Sequence, residues 1–102
     1  MEMIGIVGGV GPYAGLDLAG SVFDQTMANK DQDHLPMTIM SLPEKINDRT
    51  EYLLGKVAEN PAFAVSKILL QMESVGVTVA GIPCNTMHSP KIFDVIKQEL
   101  TE

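Results

Sequence analysis

The chain is poor in three things, and each shortage excludes a class of protein. It has one cysteine in 102 residues, so no internal disulfide framework is possible and a reducing compartment suits it. It has seven Lys and Arg against thirteen Asp and Glu, and those seven are scattered. A net charge of −6 argues against a nucleic-acid surface or an anionic membrane as partner. No apolar run approaches the length that spans a bilayer. The start, Met1-Glu2-Met3-Ile4-Gly5, lacks the basic residues of a signal peptide, which gives the expectation of a cytoplasmic chain. Internal repeats and low-complexity segments are also missing. What remains is one domain at most, with 45% hydrophobic residues to build a modest core.

The apolar residues alternate between two patterns. A run of strand length at 3–7 is broken by Gly8-Gly9-Val10-Gly11-Pro12. Leu16, Ala19, Val22, Phe23 and Met27 then recur at three- and four-residue spacings, which predicts a helix of about four turns. A polar return loop, Asn29-Lys30-Asp31-Gln32-Asp33-His34, leads to a second strand over 35–42, with Pro36 at its beginning. Residues 43–50 read as a long loop and 51–57 as a short helical turn. Asn60-Pro61 is an N-cap and first-turn signal. Ala64, Val65, Ile68, Leu69, Met72 and Val75 follow at helical spacing, and Gly76 stands where a helix C-terminus takes a left-handed residue. A third strand over 77–82 meets Pro83-Cys84-Asn85-Thr86-Met87-His88. Ser89-Pro90 then opens a final helix carrying Ile92, Phe93, Ile96 and Leu100.

This order predicts an α/β fold, a parallel sheet with helices on both faces in three layers. All three βα loops, 8–12, 43–50 and 84–88, should gather at the carboxyl edge of the sheet, where open α/β sheets bind ligands.

Cys84 sits at that edge. A lone cysteine is commonly a small buried hydrophobe. Its place after a strand and ahead of a helix N-terminus, which lowers a thiol pKa, gives a reactive thiol equal weight. Cys84 and His88 supply at most two metal ligands, and His34 is the other histidine, so zinc does not fit. Gly9-x-Gly11-x-x-Ala14 formally matches a loose dinucleotide fingerprint. It lacks an acidic residue at the end of the second strand, and Pro12 removes an N–H. A small carboxylate held by amides of the Gly9-Val10 turn fits better. Arg49, taken alone, reads more readily as a solvated turn residue paired with Asp48 than as a bidentate clamp on a carboxylate.

With these loops in hand, the chain resembles the aspartate/glutamate racemase family, the pyridoxal-phosphate-independent amino-acid racemases. The resemblance is carried by Gly8-Gly9-Val10-Gly11-Pro12, Asp31-Gln32-Asp33-His34, Asp48-Arg49-Thr50 and, above all, Pro83-Cys84-Asn85-Thr86-x-His88. It covers the whole chain but roughly the first half of the family's usual length. It implies that residues 1–102 are the N-terminal α/β catalytic domain of a two-domain enzyme that needs neither metal nor cofactor. By this resemblance Cys84 is one of two catalytic cysteines. Asn85 and Thr86, with the amides of Gly9 and Val10, would hold the α-carboxylate. Arg49 would recognise the side-chain carboxylate of a small acidic amino acid. The chain departs from the family pattern at Met87, where alanine is common, and in lacking the second cysteine of a Gly-Cys-Thr motif. The expected partner surface is therefore a second domain or another copy, as in a dimer. The rival expectation is a carboxylate-binding module that kept the loops and lost catalysis.

Overall fold

The computed structural model describes residues 2–100. Three strands form one parallel sheet in the order β2-β1-β3, with β1 at Ile4–Gly8, β2 at Met37–Ser41 and β3 at Val79–Gly81. The central strand pairs along its whole length with β2, from Ile4 opposite Met37 to Gly8 opposite Ser41. It pairs with β3 only from Ile4 opposite Val79 to Ile6 opposite Gly81. Among the described residues four α-helices flank the sheet: α1 at Pro12–Gln25, α2 at Arg49–Leu53, α3 at Ala62–Ser74 and α4 at Pro90–Leu100.

The alternation of side chains along β1 sorts the helices into layers. A Cβ placed on Gly5 would meet Met72 of α3 and Val77, whereas Ile6 lies beside Gly15 of α1. Helix α1 therefore covers one face. Helices α3 and α4 cover the other, where Val7, Val65, Ile68, Met72, Met87, Ile92 and Ile96 make the main buried cluster. The fold is three-layer α/β/α, as the alternation of patterns requires. Asn60 joins the starts of α3 and α4: its Oδ1 accepts from the Ala62 N–H at 2.9 Å, and its Nδ2 donates to the Lys91 carbonyl at 3.0 Å.

Several boundaries differ from the sequence expectation. The apolar stripe expected of α1 is only in part its buried face: Ala19 is buried and Val22 half-buried, but the large residues at its edges are not. Leu16 is 60% and Met27 99% exposed, while Gly15 and Ala19 are buried. The reason is close approach, since a Cβ on Gly15 would lie 3.2 Å from the Gly8 Cα. Small residues bring this helix close to β1, and Leu18 packs over Gly81 of β3. The third strand is shorter than 77–82 because α3 claims its beginning. The Val77 N–H donates to the Met72 carbonyl and the Gly76 N–H to the Glu73 carbonyl, with Gly76 at φ +105°. This is a Schellman end, and it holds Val77 out of the sheet. The second strand likewise contracts to the five residues that find partners on β1.

Candidate active site

Because all strands run parallel, Gly8, Ser41 and Gly81 end at the same sheet edge. The loops that follow them meet there in sequence. The first touches the second at Gly9: with φ at +80°, a Cβ there would stand 2.8 Å from the Pro43 amide nitrogen and 3.0 Å from that of Leu42. Only a glycine admits so close a backbone approach in a left-handed conformation. Val10 beside it is buried in the main core. Among the described residues, the amides of Gly9 and Val10 have no backbone or side-chain acceptor. The chain after β1 enters α1 on one face, and the chain after β3 enters α4 on the other. The crevice between them is the switch point of the sheet.

The second loop carries Arg49, and the sequence expectation needs correcting here. Residues 43–50 are not all loop: Pro43–Lys45 makes a 3₁₀ turn, and α2 begins at Arg49 itself. Asp48 is its N-cap, accepting from the Glu51 N–H at 2.9 Å. Asp48-x-x-Glu51 is a helix-start signature that was present in the sequence. Because its carboxylate serves the helix, Asp48 does not form an ion pair with Arg49. The guanidinium instead turns toward the third loop. Its Nη1 donates to the Asn47 carbonyl at 3.4 Å. Its Nε is buried without a partner, and its positive charge acts on the Cys84 thiol to favour the thiolate.

Cys84 is half-buried, a free thiol at the N-terminal boundary of another 3₁₀ turn, Asn85–His88. Helix α4 starts at Pro90, as the Ser89-Pro90 signal predicts, but that is six positions beyond the thiol, and Ser89 does not cap it with its side chain. The Ser89 hydroxyl donates instead to the Thr86 carbonyl at 2.9 Å. The surroundings of the thiol are therefore local. Its Sγ lies 3.1 Å from the Thr86 hydroxyl. Burial pushes the Cys84 thiol up, but the Thr86 hydroxyl, the Met87 amide and the Arg49 guanidinium together hold it below its ordinary value. These are donors to a thiolate, and donors to a charged form favour that form.

The structure thus joins Cys84 to Thr86 directly, sets the Arg49 charge where it acts on the thiol, and brings the Gly9 turn against the loop that leads to Arg49. Asn85 is exposed, and its side chain makes no hydrogen bond among the described residues. Asp31 and Asp33 lie ahead of β2, at the opposite end of the sheet from Cys84. Among the described residues no three His, Cys, Asp or Glu side chains converge to hold a metal ion. No helix among them is long and apolar enough to cross a membrane. A thiol with a depressed pKa, beside a cation and free amides, can take a proton from a carbon acid and steady the resulting negative charge.

The fold is shared with a known enzyme. The chain is similar to an aspartate racemase. The solved Picrophilus torridus aspartate racemase matches it with a TM-score of 0.77 at 34% identity, over 86% of this chain. The same match covers 37% of that enzyme, so the chain spans little more than a third of its length. No family model matches the sequence. At this level of identity the likeness supports a racemase-like α/β fold extending over nearly all of the chain.

Proposed function

We propose that this chain is the N-terminal catalytic domain of a cofactor-independent racemase acting on aspartate or glutamate. The observation that carries the reading is the cluster at the carboxyl edge of the sheet. One free thiol is held toward its thiolate by Thr86, the Met87 amide and Arg49. The likeness to an aspartate racemase supports it.

In this reading the Cys84 thiolate takes the α-proton from one face of the substrate. The proton passes to Sγ, and the electron pair left on Cα delocalises into the α-carboxylate. Amides of Gly9 and Val10, with Asn85 and Thr86, stabilise that charge as it grows. Arg49 holds the side-chain carboxylate with a forked pair of donors. Return of a proton to the opposite face completes inversion and needs a second acid. This sequence contains one cysteine, so the second thiol must come from another polypeptide segment: a C-terminal domain or a second copy of this chain. Exposed apolar residues on β3, with Val79 at 55% exposure, are where we expect such packing.

The test is proton exchange at Cα in D₂O, followed by NMR and chiral chromatography. The 102-residue chain should exchange the α-proton of one enantiomer with retention, and Cys84→Ser should abolish exchange while leaving binding intact. Equal conversion of L to D by this chain at concentrations where it is monomeric would overturn the two-thiol scheme. The single cysteine also favours a second reading, a carboxylate-binding module without catalysis. In that case exchange is absent and Cys84→Ser changes neither quantity.

A further inference from the structure

The loop between β3 and α4 is closed on itself at one atom. The Ile82 carbonyl accepts two hydrogen bonds, from the Cys84 N–H at 2.9 Å and from Nε2 of His88 at 2.9 Å. The first closes a three-residue turn around Pro83, whose ring fixes the backbone angle at the centre. The second spans six residues. Because a carbonyl can only accept, His88 must carry its proton on Nε2, a tautomer assigned from the partner. The same imidazole stacks on Phe93 of α4, with ring centroids 5.0 Å apart and planes 26° from parallel. Met87 is fully buried and anchors the chain on the core side. His88 is exposed and adds nothing to the core.

We propose that His88 is a positioning residue for Cys84: its imidazole clasps the Ile82 carbonyl and so holds the thiol on its donors. The Cys84 turn otherwise hangs on a three-residue strand paired on one side. With the clasp removed, residues 82–86 gain freedom, and the 3.1 Å contact from Sγ to the Thr86 hydroxyl and the bond from the Met87 N–H to the Cys84 carbonyl are populated less. Nε2 keeps its proton in both the neutral and the charged imidazole, so the clasp itself does not open with pH. The role of Cys84 as a base rests on the reading above, but the clasp can be tested without it.

The measurement is the rate of Cys84 alkylation by iodoacetamide as a function of pH, in the wild-type chain, His88→Ala and His88→Gln, with melting followed by circular dichroism. The Ala variant should titrate at higher pH and react about tenfold more slowly at pH 7, the effect of losing one hydrogen bond's worth of order. The Gln side chain reaches the same carbonyl with an amide donor and should recover most of the rate. If His88→Ala melts early, the Gln variant decides, because recovery of the profile requires a donor at that position. An unchanged profile in a folded His88→Ala, or a Gln variant as impaired as Ala, would overturn the proposal. A shifted profile in a protein that never exchanges an α-proton would leave the clasp standing and remove the racemase.

Discussion

The contact between the Gly9 turn and the Leu42-Pro43 backbone can be separated from the cost of a left-handed residue, because the molecule supplies its own control. Gly9 and Gly55 both have φ at +80°. A Cβ at Gly55 would meet nothing within 4 Å, whereas at Gly9 it would lie 2.8 Å from the Pro43 nitrogen. An alanine at either site incurs the left-handed penalty of about 1–2 kcal/mol. At Gly9 the atom in the way is backbone, which cannot rotate aside. Relief requires moving the second loop, and overpacking of this kind costs about 1–3 kcal/mol more. Gly9→Ala should therefore be less stable than Gly55→Ala by about 2 kcal/mol in urea titrations. In thermal melts that is a further drop of roughly 8–16 °C for a domain of this size. The displaced loop carries Arg49 toward or away from Cys84, so Gly9→Ala should also alter the alkylation rate while Gly55→Ala leaves it unchanged. Equal losses in the two variants, within about 0.5 kcal/mol, would refute the claim that the loops are in backbone contact.

Two further outcomes are expected. Thr86→Val removes the hydroxyl 3.1 Å from Sγ and should move the alkylation profile of Cys84 to higher pH, while Thr86→Ser keeps it. The sign follows from the native thiol titrating below its ordinary value. The thiolate's contribution to stability is complete above the unfolded pKa and is lost as pH falls through the native one. Met87 is fully buried within the main cluster, so Met87→Ala should cost about 2–5 kcal/mol, read as a lower urea midpoint with an unchanged slope.

Much of this arrangement is legible in the sequence, and the exceptions have physical causes. The 3–7 run, the glycine turn and the Asn60-Pro61 start announce themselves because each rests on local backbone rules. Parallel order and a shared loop edge follow from alternation alone. The buried face of α1 was legible only in part. Its contact is made by the absence of a side chain at Gly15, and periodicity counts large apolar residues. The start of α2 was written in Asp48-x-x-Glu51, but lies beside a 3₁₀ turn that hides it. For the site, Cys84 and its edge position follow from strand and helix signals. The 3₁₀ turn at 85–88, the Ser89 hydroxyl turned back to Thr86 and the clasp at Ile82 do not. They depend on which carbonyl is left unclaimed when a strand stops after three residues, a property of the folded sheet.

That short strand has a consequence for how the molecule comes apart. Of the three strands, β3 offers the fewest ladder bonds, and one of its sides is unpaired. Local opening begins where backbone bonds are few and exposed. The amides of Val79–Gly81 should exchange with solvent well before those of Ile6 and Val7, and the 82–88 loop opens with them. On warming, the thiol would then lose its donors while β1, β2 and the α3–α4 core still hold. Chemical competence should fade at a lower temperature than the fold.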